Sequence, residues 1–325
     1  MIHVDPTSIS EALEDVKKVM HDSQNSSQTN FDFQSFKSQS NKTIKIAAID
    51  GSHHNIKGTN FLFSALRAGY LIYKDGRLIE TNIDPIKLEF IMNNNVPNVG
   101  FVYKHEKYYQ EIIGDIPTGK LEFDKVTERI RTLLEWKKVR DLIDLLHKDD
   151  IIIFDGSLIS GEISTSHTFV DELIEKAMNK GITIIGFSKD TSLSIDSAPL
   201  PIVLNESAKT FHPNKNWFVD YEGSYFVKFS KKVDQIFRVD AVVPDHLTID
   251  EVLSRIGGYC FNAATLGYPF PMQKVHDEVR ISETDMKYCQ DAFKVQCQKA
   301  GISPEFIDKM FNIYHDQLDK ISWGR

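Results

Sequence analysis

The sequence has few cysteines, with only Cys260, Cys289 and Cys297 in 325 residues. They form no CxxC pair and have no histidine-rich partner motif, so neither a disulfide framework nor a zinc site is indicated. Cys289 and Cys297 lie four residues on either side of Phe293 in a segment with helical character. This spacing is typical of small apolar core residues, and we assign no chemistry to the thiols.

Long apolar segments are also absent. No apolar run approaches the roughly 18 residues that a membrane span requires, and the first residues, MIHVDPTSIS, lack the basic and then apolar pattern of a signal peptide. Hydrophobic residues make up 41% of the chain, which is enough for a sizeable core. We therefore expect a cytoplasmic protein without membrane contact.

Positive charge is in deficit, because the formal net charge at pH 7 is −8. This balance argues against a globally basic surface that coats duplex nucleic acid. A nuclease remains compatible with it, since such an enzyme gathers carboxylates at its centre and needs positive charge only along the path of the strand. Two basic segments are candidates for that path, or else ordinary solvated faces: Arg129, Arg131, Lys137, Lys138 and Arg140, and KFSKKVDQIFR at 228–238.

The first 42 residues differ in composition from the rest of the chain. Leu13, Val16 and Met20 have helical spacing and predict a short amphipathic helix from Ser10 to Met20. The next stretch, HDSQNSSQTNFDFQSFKSQSNKT, is rich in serine, glutamine and asparagine, which is typical of linkers. We predict an N-terminal helix and flexible arm over residues 1–42 and one domain over residues 43–325.

Beyond this arm, short apolar runs alternate with segments of helical periodicity. IIIF at 151–154 and ITIIGF at 182–187 predict strands buried on both faces. The helix predicted between them ends at Gly181, and a strand, helix, strand order indicates a right-handed crossover and a parallel pair. Asp75-Gly76 and Glu222-Gly223 indicate hairpins, and the chain is helical after Thr284. The pattern predicts an α/β protein with added hairpins and a C-terminal helical region.

The motif Asp-Gly-Ser follows a predicted strand twice, at Asp50 in KIAAIDGSHHN and at Asp155 in DIIIFDGSLIS. Each aspartate alone is compatible with a turn in which its side chain bonds the nearby backbone. A third carboxylate, Glu135, falls on the inward side of the helix predicted from Phe123 to Lys148. Three converging carboxylates repel one another unless a divalent cation lies among them. Together they suggest a metal site for phosphoryl transfer.

Other polar side chains lie near predicted element ends. In TLGYPFPMQKVHDEV the second proline can open a helix, which places Tyr268 before that helix and His276 in its second turn. Lys189 follows a predicted strand, where its charge could stabilise a phosphate or simply pair with a neighbouring carboxylate. His53 and His54 follow the first Asp-Gly-Ser, where we expect exposed turn residues. Spacing alone leaves His276 open between a ligand and an ordinary histidine.

The segments IAAIDGSHHN, LLEWKKVR, IIIFDGSL, GFSKD and LGYPFPMQKVH, in this order, resemble the NurA family of archaeal and bacterial nucleases. The resemblance extends from about Ile44 to His276 and implies an RNase H-like mixed sheet flanked by helices. It implies a manganese-dependent DNA nuclease, a single-stranded endonuclease and 5′–3′ exonuclease, that resects DNA ends in double-strand break repair by two-metal hydrolysis. It also implies binding of DNA single strands and ends, a HerA-type hexameric ATPase as partner, and a homodimer.

The same resemblance assigns roles to residues. Asp50, Glu135, Asp155 and His276 would bind manganese, as two ions, with magnesium as an alternative, and Tyr268 would position the scissile phosphate or water. With Lys189 added from its place after a strand, the predicted catalytic set is Asp50, Glu135, Asp155, Lys189, Tyr268 and His276.

One departure from the family concerns the long span between Asp50 and Glu135. It indicates an insertion, either in the hairpin region or in the predicted loop NNNVPNVGFVYKHEKYYQEIIGDIPTGK at 93–120. Three further carboxylates lie within it and are alternatives for the helical ligand: Glu111, Glu122 and Glu128.

Two other classes of function remain open. An actin-like or sugar-kinase-like phosphotransferase also places Asp-Gly turns after core strands, but it would have a phosphate loop such as Asp-x-Gly-Thr, and Gly257-Gly258 follows no clear strand. A non-catalytic DNA-clamp subunit of an ATPase complex would retain the fold and lose a carboxylate, whereas all the candidates are present. The nuclease is therefore the leading hypothesis.

Overall fold

A computed structural model describes residues 5–26, 30–39, 41–158, 166–211 and 214–311. The strands in this part of the chain are β1 (Gln34–Phe36), β2 (Lys45–Lys57), β3 (Phe61–Lys74), β4 (Arg77–Ile83), β5 (Lys87–Met92), β6 (Ile151–Asp155), β7 (Thr183–Ser188), β8 (Ser194–Ile195), β9 (Ala198–Pro199), β10 (Asn216–Tyr221), β11 (Ser224–Lys228) and β12 (Phe237–Val242). The helices are α1 (Pro6–Ser26), α2 (Phe101–Ile113), α3 (Val126–Leu145), α4 (His167–Lys180), α5 (Leu200–Phe211), α6 (Ile249–Gly257), α7 (Phe270–Val279), α8 (Glu283–Lys299) and α9 (Pro304–Phe311). None of these helices combines the length and apolarity needed to cross a bilayer.

One mixed sheet of ten strands organises the fold. Its order is β1-β10-β11-β12-β7-β6-β2-β3-β4, and β5 pairs with the far end of β3. The centre is parallel, because β6 pairs in parallel with both β2 and β7, while the pairs outside this centre are antiparallel. The predicted parallel pair on either side of α4 is confirmed, as is the mixed sheet flanked by helices.

The two faces of the central strands enter different cores. Ile152 and Phe154 face α3 and α4, whereas Ile151 and Ile153 face α6 and α7. Because successive strand side chains point to opposite faces, a strand covered on both sides must be apolar at every position. This requirement explains the continuous run IIIF.

Both predicted hairpin turns are confirmed. Asp75 and Gly76 join β3 to β4, and Glu222 and Gly223 join β10 to β11, each pair with positive φ at both residues. This conformation matches the right-handed twist of the strands. The predicted helix end at Gly181 is also confirmed, with φ of 70°.

The expectation that Asp50 ends its strand is wrong. β2 continues through Gly51 and Ser52 to Lys57, and it pairs with β3 along its whole length. His53 and His54 are consequently half-buried strand residues and not exposed turn residues. The apolar run stops at Asp50 because the parallel partner β6 stops there, not because β2 ends.

Part of the predicted flexible arm belongs to the sheet. Gln34–Phe36 form β1, which pairs antiparallel with β10, and Phe33 and Phe36 are buried against Trp217 and Phe229. The aromatic residues that provide this packing lie among serines and glutamines. The average composition of the segment is polar and therefore does not reveal them. The division of the chain at residue 43 stays a prediction.

The predicted loop at 93–120 contains a helix. α2 lies between Gly100 and Gly114 and buries His105, Tyr108, Tyr109 and Ile112 against the α3 side of the sheet. Its apolar residues are aromatic and separated by charged ones, which obscures helical periodicity in the sequence. The long span before Glu135 is therefore occupied by β5 and α2.

Candidate active site

The central parallel pair brings Asp50 and Asp155 to the same level of the sheet. Ile49 of β2 pairs with Phe154 of β6, so the next residue of each strand is an aspartate beside the other. Both aspartates follow the alternation toward the face that α7 covers. The two Asp-Gly-Ser motifs therefore meet at one site, although only the second lies at a strand end.

α7 places His276 over this pair of aspartates. His276 Nδ1 lies 2.8 Å from Asp50 Oδ2, and the Gly51 amide donates to Asp50 Oδ1 at 2.7 Å. One ligand atom from each of Asp50, Asp155 and His276 falls within 4.8 Å of the others. Burial and the charge of Asp155 raise the pKa of Asp50, against the opposing effect of His276.

Glu135 approaches from the opposite face of the sheet and lies outside the group of Asp50, Asp155 and His276 whose ligand atoms are within 4.8 Å of one another. It lies on α3, is 2% exposed, and its Oε1 would be 2.7 Å from a Cβ on Gly51. A side chain at this position would force Glu135 or Arg131 to shift, so glycine permits their close approach to β2. Burial raises the pKa of Glu135 to about 8, with Arg131 opposing and Asp50 and Asp155 adding to the shift.

Arg131 was not predicted as a site residue. Its Nη1 lies 3.5 Å from Glu135 Oε1 and donates to the Gly51 carbonyl oxygen at 3.4 Å. The i, i+4 spacing from Glu135 was the available indication in the sequence. Within the described chain, Glu135 Oε1 and Arg131 Nε are buried without a hydrogen-bond partner.

Asp240 of β12 fixes the turn that follows Asp155. The Ser157 hydroxyl donates to Asp240 Oδ2 at 2.6 Å and the Leu158 amide to the same oxygen at 3.2 Å. Gly156, with φ of 122°, provides the turn conformation that L-residues rarely adopt. Sequence reasoning missed Asp240, although an aspartate inside the apolar run IFRVDAVV was a recognisable sign.

Lys189 and Tyr268 line the open side of the centre. Lys189 Nζ donates to Asp155 Oδ2 at 2.8 Å and lies 5.6 Å from the centre of the Tyr268 ring. The Tyr268 hydroxyl is buried without a hydrogen-bond partner in the described chain. Burial, with the charges of Asp155 and Asp50, raises its pKa far above the ordinary value, so this hydroxyl keeps its proton.

The alternatives for the helical carboxylate lie elsewhere. Glu111 is exposed and close to Lys107, and Glu128 accepts from Lys125 at 3.0 Å. Glu122 precedes α3 and is exposed. Glu135 is the member of this group that lies against Gly51, next to Asp50, and the charges of Asp50 and Asp155 raise its pKa.

The basic segment 129–140 is only partly solvated, with Lys137 exposed and Arg131 beside Glu135. Lys138 is 4% exposed and its Nζ donates to Asn82 and Asp84, while Arg140 donates to the Ile112 carbonyl oxygen. These charges hold α3 against its neighbours and are not available to guide a strand.

The donor set fits a divalent cation. Carboxylate oxygens and an imidazole are ligands that manganese and related ions accept. Glu135 Oε1 is buried without a hydrogen-bond partner among the described residues, and Asp50 and Asp155 are crowded together; a cation would relieve both conditions.

Comparisons with known proteins agree with this arrangement. The NurA domain model matches residues 44–281. The crystal structure of the NurA nuclease from Sulfolobus solfataricus superposes with a TM-score of 0.57 at 14% identity, covering 91% of this chain and 98% of that one. A crystal structure of NurA bound to dAMP and manganese gives 0.52 at 10% identity, covering 87% and 94%. Among the curated proteins no sequence matches.

The NurA domain match, the fold shared with NurA nuclease structures and the donor set for a divalent cation together define a metal-dependent nuclease. Since the family model spans well over half of its length, the chain belongs to the NurA family.

Replacement of Glu135 by glutamine tests the cost of the buried carboxyl. The folded pKa of about 8 exceeds the ordinary 4.5, so between these values the unfolded chain is ionised while the folded protein keeps its proton. The free energy of unfolding of the metal-free wild type then falls as pH rises, by at most roughly 1.4 kcal/mol per pH unit. We expect metal-free Glu135→Gln to melt at a higher temperature than the wild type near about pH 8, with the difference vanishing toward about pH 5.

The matched control is Glu128→Gln on the same helix. Its carboxyl is only partly buried and Lys125 lowers its pKa, so its replacement should not stabilise the protein at either pH. Thermal melting followed by circular dichroism measures both variants. A melting difference for Glu135→Gln that does not change with pH would contradict the assignment of a protonated carboxyl.

Asp240→Asn tests the anchoring of the Asp155 turn. The amide would present a donor to Ser157 or Leu158, both of which donate to Asp240. Partners that orient a metal ligand are worth about 10- to 100-fold in metal affinity. We expect titration calorimetry to record a loss of about tenfold in Mn²⁺ affinity, and Ser157→Ala to lose less. Asp220→Asn, an exposed aspartate on β10, is the control, and equal affinities in Asp240→Asn and the control would refute the anchoring role.

Proposed function

We propose that this protein is a manganese-dependent DNA nuclease that cuts single strands and degrades ends from 5′ to 3′, during end resection for double-strand break repair. The observation that carries the proposal is the convergence of Asp50, Asp155 and His276, with Glu135 admitted through Gly51. Family membership adds the expectation of DNA as substrate, as does the related NurA structure whose title names dAMP and manganese.

The proposed metal ligands are Asp50, Glu135, Asp155 and His276. Two ions, of manganese or alternatively of magnesium, would supply a water of lowered pKa and would compensate the charge on the departing 3′ oxygen. The pKa of Glu135 is raised to about 8, so its proton must leave before it can bind a cation, and the raised pKa of Asp50 acts in the same direction. Metal affinity should therefore increase with pH.

Three further side chains act on the substrate in this proposal. Lys189 and Arg131 offer positive charge beside the carboxylates, where a phosphodiester approaches. Tyr268 remains protonated and therefore donates a hydrogen bond to a phosphate oxygen or to water. An ion pair with Asp155 holds Lys189 in place before substrate binds, and an ion pair with Glu135 does the same for Arg131.

The assembly is proposed from the family resemblance. The protein forms a homodimer and works with a HerA-type hexameric ATPase that feeds it DNA ends. The proposed division is an N-terminal region over residues 1–42, whose β1 joins the sheet, and a nuclease domain over residues 43–325. We expect multi-angle light scattering to give the mass of a dimer. The mass of a single 37.2 kDa chain at working concentration would refute this part.

Cleavage of a labelled single-stranded oligonucleotide tests the activity. We expect cutting with Mn²⁺, less with Mg²⁺ and none with chelator, and loss of cutting by at least about 100-fold in Asp155→Ala, because a metal ligand is removed. Asp220→Asn should cut like the wild type. Folded wild-type protein that cuts with neither metal would refute the proposed function, and cutting retained by Asp155→Ala would refute the site.

A further inference from the structure

A large cavity away from the carboxylates is lined by lysines. It has a volume of ≈ 890 Å³ and lies between the β1 segment, the loop after β11 and the end of α6. We call it the basic groove, after Lys37, Lys215, Lys231 and Lys232 on its walls. Two of these belong to KFSKKVDQIFR, the basic segment that the catalytic site leaves without a role.

The charge of the basic groove is not neutralised locally. All four lysines are exposed, and none forms an ion pair with a residue in the described ranges. Asp250 is the one acidic side chain among the described lining residues. A concentration of positive charge in a chain of net charge −8 indicates an anionic ligand for this cavity.

The basic groove adjoins a second cavity beside the catalytic centre. This second cavity of ≈ 710 Å³ is lined by Lys189 and Tyr268 at the centre, and Leu266 lines both cavities. Residues from the same two loops, 229–235 and 261–268, contribute to the walls of both cavities. An extended ligand held at Asp155 can therefore follow one path into the basic groove.

Phe261 adds an aromatic surface to this path. Its side chain is 64% exposed, and it lines the same cavity as the four lysines. An exposed ring among lysines is an arrangement that binds unpaired bases, because the base stacks while the lysines contact the phosphates. Duplex DNA has its bases paired and offers no such face.

We propose that the basic groove binds a single nucleic-acid strand on one side of the scissile phosphate, with its phosphates on the four lysines and a base on Phe261. This proposal rests on the proposed nuclease function, since the strand is the substrate of the same centre. The groove then sets the minimum length of a well-bound substrate, and a dinucleotide reaches only the centre.

Binding measured without cleavage tests the lysines. The probe is a fluorescein-labelled oligo-thymidine of about 20 nucleotides, followed by fluorescence anisotropy in chelator over a range of salt concentrations. Each lysine contact to a single strand contributes roughly 0.7 to the slope of log affinity against log salt. The double variant Lys231→Gln, Lys232→Gln should therefore lose about tenfold in affinity at low salt, and its slope should be shallower by roughly 1.4.

Phe261→Ala gives an independent signature. Loss of stacking lowers affinity by about tenfold, while the salt slope stays that of the wild type because no charge is removed. The matched control is Lys287→Gln with Lys299→Gln, two exposed lysines on α8 away from the groove, which should bind like the wild type. Melting temperatures close to that of the wild type establish that the variants are folded.

The outcomes separate the groove from the nuclease function. Wild-type affinity and slope in the groove variants, or equal losses in the α8 control, would overturn the groove, and the lysines would then serve another anionic partner such as an acidic protein segment. Hydrolysis of bis-p-nitrophenyl phosphate by the wild type with Mn²⁺ reports on the centre alone. Absence of that hydrolysis would refute the nuclease function, while strand binding through the groove could still be measured.

Discussion

The candidate site depends on a fold that holds carboxylates close together against their mutual electrostatic repulsion. Asp50 and Asp155 are adjacent because the register of the parallel pair β2 and β6 places them side by side. Glu135 lies near this pair because α3 packs closely on Gly51. Burial and repulsion raise the pKa values of Asp50 and Glu135. The packing of the sheet offsets the free-energy cost of this crowding. A cation that enters the site therefore finds its ligands already in position.

The two Asp-Gly-Ser motifs have the same residue types, but the glycine and the serine have different structural roles in each. Gly51 is needed for the close approach of Glu135, whereas Gly156 is needed for a positive φ. Ser52 accepts from the Ile281 amide and so ties the end of α7 to β2, while Ser157 donates to Asp240. The repeat in the sequence therefore does not reflect a structural repeat.

Local pattern predicted the elements that are buried on a regular face, such as β6, β7, α4 and the two hairpins. It could not predict where β2 ends, because that strand is extended by pairing with β3 and not by its own composition. β1 and α2 were missed because their aromatic residues are spaced among polar ones. Among the site residues, the sequence only weakly favoured Glu135 over Glu111, Glu122 and Glu128 as the helical carboxylate. Asp240 acts through a contact with Ser157, 83 residues away in sequence, and no local pattern can predict such a contact.

The distribution of charge reconciles an acidic chain with a polyanionic substrate. Asp50 and Asp155 gather at the centre, where a cation would reverse their effect on an approaching phosphate, while many other carboxylates are exposed over the surface. Lys138 and Arg140 of α3 bind to neighbouring parts of the fold, Lys138 to Asp84 and Arg140 to the Ile112 carbonyl oxygen. The lysines that remain exposed near the site lie on one path from Tyr268 to Phe261. Net charge is therefore a poor guide to substrate here, and the local field along this path decides how a strand is oriented.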